Sequence, residues 1–556
     1  MRRRAVLFGG LTTGLVGCSP ARSTPGPSPS AAAIMPTMDP GAGPLSVAIE
    51  YRGNTYLYSD ADGIDLGDYI DPAGRFVQRC IRTTNEQLPL TVFFRPDRGT
   101  HRAEVVFELG RIRPKAPPAN LGSYTVTITR GDRTVFIMRV PNHYWFSRWR
   151  WQSSPRPVTA ETSKMSNSGL LPHYDERATN GTARSTSRFS YQIMGLAGLS
   201  AVMPATGERD DIGPVTEVQA EFICTGHAAA LATVLAQAEG AGTLPWYLRD
   251  ESTGAPFDLL RHPKGSMYSS QIGDPYIAAV KTPIQLDTNH EPAVAYLPFL
   301  LTGDPYHLET MQFQVTFDYV ALPGRDRYST GQVRGQAWLL RTLGQAAAVT
   351  PEKTPQWLMP RRYFRELLTD KLNWITRSFV LDTTPPHAVF RSMEQIFSSR
   401  PEGAFDAGTL MSPWMEEFMV FVLCWLVQMG HADWEPVAQW KIGSTVARTN
   451  GTSGWIRARP TPYRIALREH ANSPWLTSWG DAWALNSSGF GWKYNDANRL
   501  DVGRDITYPS YSRGALAMAA RLDLPGARAC FDWIDPQIRD HLRGGVRMEY
   551  KWSVVA

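Results

Sequence analysis

The sequence has no CxxC pair, no GxxxxGKS or GxxxxGKT loop, no HExxH helix and no GxSxG elbow. Their absence removes the sequence grounds for a dithiol redox centre, a phosphate cradle, a zinc protease and a serine hydrolase of the nucleophile-elbow type. The 11 histidines are scattered, so no metal ligand set is signalled and no cofactor is expected. Cysteine is scarce: beyond Cys18, only Cys80, Cys224, Cys424 and Cys530 occur, all in apolar surroundings, and they read as buried free thiols. A strong surplus of charge is also missing. The chain has 57 Lys and Arg against 52 Asp and Glu; with Arg2, Arg3 and Arg4 set aside, the balance is 54 against 52. So neutral a chain gives no reason to expect a nucleic-acid partner.

What is present begins with an export signal over residues 1–17. Arg2-Arg3-Arg4 precedes an apolar run from Ala5 to Val16, too short and glycine-rich to span a bilayer. Leu15-Val16-Gly17-Cys18 resembles the bacterial lipobox, which implies lipidation at Cys18 and anchoring in the cell envelope. Ser19 lacks the aspartate associated with inner-membrane retention, so an outer-membrane anchor facing the periplasm is expected. Residues 18–44, rich in Pro, Ser, Ala and Gly, read as a flexible tether.

Residues 45–150 follow a period of two. Val47, Ile49 and Tyr51 alternate with polar neighbours, as do Tyr124, Val126 and Ile128. Arg130-Gly131-Asp132-Arg133 is a hairpin turn leading to Val135–Arg139, and Leu90–Phe94 and Val105–Leu109 are further strands. Short strands separated by turns predict a β-sandwich. The strip His143–Trp151 interleaves aromatics with Arg148 and Arg150, which suits either sugar stacking or a strap joining the strands to the next domain. A polar connector, 151–188, follows.

From 189 to 540 the period is helical. Four junctions place a polar loop before proline and an apolar helix: Asp211–Pro214, Asn289–Pro292, Met411–Pro413 and Thr507–Pro509. Proline suits the first helical position because its missing N–H has no partner there anyway. Gly303-Asp304-Pro305 predicts a C-cap, an N-cap and a helix start in succession, hence an αα-hairpin. Five such hairpins are visible, and Pro386–Ser398 or Trp475–Leu485 is the candidate for a sixth. Phe418–Val427 is apolar all round, as an inner helix should be, whereas Trp357–Phe379 carries Arg361, Arg362, Arg365 and Lys371, as an outer one should. Inner and outer helices in alternation predict an α/α toroid. Residues 541–556 read as a C-terminal tail.

The segments Gly207–Pro214, Leu301–Tyr306 and Arg334–Trp338 resemble those of the bacterial six-hairpin glycosidase-like superfamily. The resemblance covers about 205–540 and implies an N-terminal β-domain, an (α/α)6 toroid and a polysaccharide or oligosaccharide substrate at the N-terminal ends of the inner helices. Unpaired N–H groups and partial positive charge at helix starts favour anions there. A glycoside hydrolase needs two carboxyl groups, and the acids at the junctions are Asp211, Glu291, Glu416 and Glu417. Glu416 or Glu417 is the expected general acid, with Asp211 or Glu291 as partner, although acids in a first helical turn also arise from the dipole alone. A lyase acting on an acidic glycan would instead draw on Asn289, His290, Arg334, Tyr508 and Tyr511, residue types that toroid lyases use. Arg209, Arg249 and Asp250 could grip a sugar, and Trp338, Trp414, Trp479 and Trp492 could stack on one or fill the core. A non-catalytic glycan-binding or exopolysaccharide-assembly lipoprotein is the third reading.

Overall fold

A computed structural model describes residues 43–112, 118–179, 187–205, 209–267, 277, 280–321, 332–394, 401–493, 495–502 and 506–556. The signal segment, Cys18 and all but the last two residues of the tether lie outside the described residues.

Strand β1 (Leu45–Tyr51) buries Leu45, Val47 and Ile49 while Ser46, Ala48 and Glu50 face the other way. β7 (Tyr124–Arg130) repeats the pattern with Tyr124, Val126 and Ile128, and Gly131, at φ 57°, turns the chain into β8 (Arg133–Val140). With β2 (Asn54–Ser59) these strands form an antiparallel sheet in the order β2-β1-β7-β8. A second antiparallel sheet runs β3 (Ile64–Ile70), β4 (Val77–Thr84), β5 (Thr91–Pro96), β6 (Ala103–Glu108) and β9 (Arg148–Gln152). Across the two sheets, the Trp149 indole N–H donates to Tyr124 Oη at 2.9 Å, and Tyr58 Oη donates to the Leu90 carbonyl at 3.3 Å.

The second half of the aromatic strip is thus strand β9 and works as a strap. Trp149 stacks on Phe107 at 4.2 Å, while Arg148 and Arg150 reach toward the helices. Arg148 bonds Glu309 and also the Thr310 hydroxyl at 2.8 Å. Arg150 bonds Glu104 at 2.8 Å, Asp304 at 2.7 Å and Glu239 at 2.5 Å. Arg95 and Arg249 reach Glu309 from the same side, at 2.8 and 2.7 Å.

Among the described residues there are thirteen α-helices: α1 (Thr162–Asn167), α2 (Glu217–Thr225), α3 (Ala228–Gly240), α4 (Tyr296–Thr302), α5 (Pro305–Val320), α6 (Val333–Val349), α7 (Arg361–Ile375), α8 (Pro385–Ala388), α9 (Pro413–Gln428), α10 (Glu435–Thr449), α11 (Trp479–Gly489), α12 (Thr507–Ala520) and α13 (Ala527–Arg543). Consecutive pairs α2–α3, α4–α5, α6–α7, α9–α10 and α12–α13 pack together. The α4–α5 hinge follows the sequence reading: Gly303 is left-handed at φ 67°, and the Asp304 carboxylate accepts from the Tyr306 amide at 3.1 Å. Helix α9 is buried from Pro413 to Leu426 and packs against α6, α10 and α12.

Not every proline opens its helix. Pro413 does, but Pro509 is the third residue of α12, and Pro214 and Pro292 lie ahead of α2 and α4. A stronger signal sets the start of α2. Thr216 and Gln219 form a reciprocal capping box, which pairs two amides that proline cannot. Lys371, expected on an outer surface, is fully buried beside Gln336. The residues expected as a C-terminal tail are docked as well. α13 runs to Arg543, Met548 and Lys551–Val554 are buried, and Trp552 stacks on Phe418 at 5.2 Å. Hydrocarbon from Trp338, Phe418, Tyr511 and Trp552 therefore fills the space between α6, α9 and α12. Cys80, Cys424 and Cys530 are buried and Cys224 is half-buried, all as free thiols.

Several buried groups make stability depend on pH. Burial pushes the carboxyls of Glu217 and Glu394 up to about 8 and that of Asp318 to about 6. Each keeps a proton that the unfolded chain releases near pH 4, so its stabilisation is complete in acid and fades as pH rises through the folded value. Burial holds the His143 and His307 imidazoles down at about 4, so their contribution is complete above about pH 6.5 and fades as pH falls through 4. Above about pH 6.5 the histidine contributions are complete and only the carboxyl contributions still change, so stability is expected to fall from there toward alkaline pH. Thermal unfolding followed by circular dichroism should give a higher midpoint at about pH 6 than at about pH 9.

Candidate functional site

The second residue of each of three helices meets at one end of the helical region. These are Arg334 of α6, Trp414 of α9 and Tyr508 of α12. The Arg334 guanidinium lies 5.1 Å from the Trp414 ring centre. Trp414 stacks nearly parallel on Tyr463, at 6.1 Å and 11°. Tyr508 lies edge-on to both, 6.2 Å from Trp414 and 5.9 Å from Tyr463, and Tyr511 follows 5.8 Å from Tyr508. Tyr463 is 45% exposed, whereas Arg334 is only 7% exposed. Arg334 Nε donates to Gln332 Oε1 at 2.6 Å. No carboxylate among the described residues forms an ion pair with it. Burial pushes this guanidinium down to about 10, with Asp287 acting in the opposite direction. A desolvated cation with no carboxylate in ion-pair contact is costly, and an incoming anion would relieve that cost.

The loop ahead of α4 supplies a carboxylate–imidazole pair at the same end. Asp287 accepts from the Asn289 amide at 3.0 Å and the Asn289 side chain at 3.1 Å, and His290 Nδ1 donates to its other oxygen. Burial would raise the Asp287 pKa, but the His290 and Asn289 bonds hold it below its ordinary value. An ionised Asp287 fixes the imidazole with its proton on Nδ1, leaving the Nε2 lone pair available as a base. Arg209 and Asp211, expected to meet the substrate, brace this loop instead. Arg209 donates to the His290 carbonyl at 3.0 Å, the Met203 carbonyl at 2.7 Å and Asp211 at 2.8 Å.

Other expected residues are drawn away from this end. Glu416 is fully buried, bonded to Lys441 and accepting from Ser392 Oγ at 2.8 Å. Glu417 is bonded to Arg448 and accepts from Thr445 at 2.6 Å and Ser512 at 3.1 Å. Both carboxylates thus neutralise buried cations of α10 rather than lining a cavity rim. Glu291 is fully buried beside Asp318. Burial, and then the neighbouring carboxyl, raise its pKa, so the pair holds a proton between them. Arg249 belongs to the Glu108–Glu309 network under the second sheet, and Asp250 closes a turn onto the Ser252 amide at 2.8 Å. Trp338 is core, and Trp479 and Trp492 pack around Trp455.

Four residues had gone unnoticed in the sequence. Asp287 was legible as an acid three positions before His290, in a turn. Tyr463, Asp318 and Glu394 carry no local signal, because tertiary contacts place them. Glu394 has its proton retained by burial and by Glu416, with Ser412 at the start of α9 easing the shift. No group of three or more His, Cys, Asp or Glu suited to a metal ion occurs among the described residues, and no described helix is long and apolar enough to cross a membrane. Comparison of the chain with protein-family models, with curated proteins and with solved structures found no match.

Proposed function

We propose that this chain acts on an acidic glycan at the helix-start end and cleaves it by elimination. The supporting observation is Arg334, a nearly buried guanidinium under an aromatic platform, with no carboxylate in ion-pair contact among the described residues. A uronate carboxylate would complete the pair, its sugar face stacking on Trp414 or the exposed Tyr463. Charge neutralisation acidifies the carbon next to that carboxylate. His290 Nε2 takes its proton, the electron pair forms the C4–C5 double bond, and the glycosidic C4–O bond breaks. Tyr511 or Tyr508 gives its phenolic proton to the leaving oxygen.

This reading carries two further elements. We take the two sheets as a β-sandwich and the helices as an α/α toroid whose middle is filled, so the glycan sits on the loop end rather than in a deep hollow. We also take the chain as an envelope lipoprotein anchored through Cys18, on the order of its charged, apolar and small residues.

Hydrolysis keeps one specific candidate. Glu394, protonated at neutral pH and next to the start of α9, has the state a general acid requires, whereas Glu416 and Glu417 are engaged with Lys441 and Arg448. Product analysis on polyuronates separates the mechanisms. Elimination gives reducing ends that absorb in the ultraviolet as unsaturated uronates. Reducing ends without that absorbance would replace the lyase by a hydrolase, and binding without new ends would leave a glycan-binding protein.

A further inference from the structure

The candidate site is tied to a distant part of the chain. Glu217, the first residue of α2, accepts from the Tyr550 amide at 2.7 Å and the Lys551 amide at 3.1 Å. So anchored, Lys551 sends its side chain beneath the loop that braces His290. Its Nζ donates to the carbonyls of Arg209 at 3.0 Å and Ile212 at 2.9 Å, and Glu549 pairs with its charge at 3.3 Å. The passage is narrow. A Cβ on Gly213 would stand 2.9 Å from Lys551 Cδ, so the loop needs glycine where the lysine stem crosses. Arg209 then donates to the His290 carbonyl at 3.0 Å. The next residue, Trp552, lies 4.6 Å from Tyr511, and its carbonyl accepts from Arg513 at 3.0 Å.

We propose that Lys551 is a positioning residue for His290, acting through the Arg209–Ile212 turn. Two carbonyls share one ammonium; without it the buried Ile212 carbonyl loses this donor, and the Arg209 carbonyl is left with the Ile212 amide at 3.1 Å. The turn then loosens, Arg209 loses its fixed origin, and the His290 backbone keeps only its local bond to the Asp287 carbonyl, at 2.9 Å, so Nδ1 is held less strictly against Asp287. The inference rests on the reading of His290 as a base, but its test does not need a known substrate.

The test is Lys551→Met in the full chain, which keeps the stem and removes the donors. Side-chain nitrogen resonances of histidine-labelled protein, with His290 assigned by His290→Gln, report tautomer and titration directly. Wild type is expected to show a single Nδ1-protonated tautomer. The variant, with unchanged circular dichroism, is expected to show mixed tautomers and a displaced titration midpoint. If polyglucuronate is turned over, its kcat should fall about tenfold or more with KM little changed, since Arg334 is untouched. Should Lys551→Met fail to fold, Arg209→Lys cuts the next link and carries the same expectation. A folded variant with wild-type His290 tautomer and titration overturns the proposal. Wild-type chain that leaves polyuronates untouched overturns the glycan reading alone, and the resonances still decide the role of Lys551.

Discussion

Glu309→Ala is expected to unfold the protein or leave it only marginally stable. Glu309 is completely buried on α5 and receives Arg95, Arg148 and Arg249, which come from β5, from β9 and from the loop that follows α3. Burial alone would raise its pKa, but these three cations hold it far below the carboxylate range. Its stabilisation is therefore present above the unfolded pKa and is lost only in strong acid, as pH falls through the folded value. Removing one member of a buried pair costs about 3–5 kcal/mol because the other charge is stranded. Here three guanidiniums would lose their shared partner, against a total stability of about 5–15 kcal/mol for a typical fold. Glu309→Gln should fall between wild type and alanine, since it keeps the shape and some acceptor capacity. Soluble yield and the urea midpoint measure the effect. A midpoint for Glu309→Ala close to that of wild type would show that the arginines find other partners and that the network contributes little.

The largest expected effect on activity is at His290. His290→Ala removes the only imidazole that an ionised carboxylate orients at the helix-start end among the described residues, and general-base loss typically costs about 10²–10⁴-fold in rate. Asp287→Asn tests the same dyad without removing the ring. It keeps the size but deletes the charge that selects the Nδ1–H tautomer, so kcat should drop while the acid limb of the pH profile moves. Arg334→Ala should act on the other parameter and mainly raise KM for an acidic glycan, since its proposed partner is a ground-state carboxylate. Single-turnover assays of the three variants on a polyuronate would read this split. Full activity in His290→Ala would end the elimination mechanism and leave Glu394 as the group to test.

The legible parts of the fold are those in which one local pattern has one cause. β1, β7 and β8 were readable because β1 and β7 bury every second side chain, and the turn between β7 and β8 needs Gly131. β5 and β6 were readable as short apolar runs although both their faces are buried, whereas β9 is also buried on both faces and β2 leaves Leu57 exposed, so alternation is lost there. The site was half legible for a similar reason. Arg334, Trp414 and Tyr508 sit at helix starts, which proline and polar loops announce. Glu416 and Glu417 also sit in the first turns of α9, yet their cations lie 25 and 31 residues on. A local reading finds the acids and cannot find Lys441 or Arg448. In the same way it sees Glu291 at a junction and misses Asp318, a helix and a half away.

The bond from Glu217 to the Lys551 amide joins residues 334 positions apart. During synthesis α2 emerges long before that partner exists, and its first turn must wait with a buried carboxyl unanswered. The loop beneath His290 can take its final shape only after the chain through Lys551 has been made. Maturation of the site is then a late event, slow in the way that non-local closure is slow, and a nascent chain halted short of Lys551 would hold the Asp287–His290 turn above an unbraced loop.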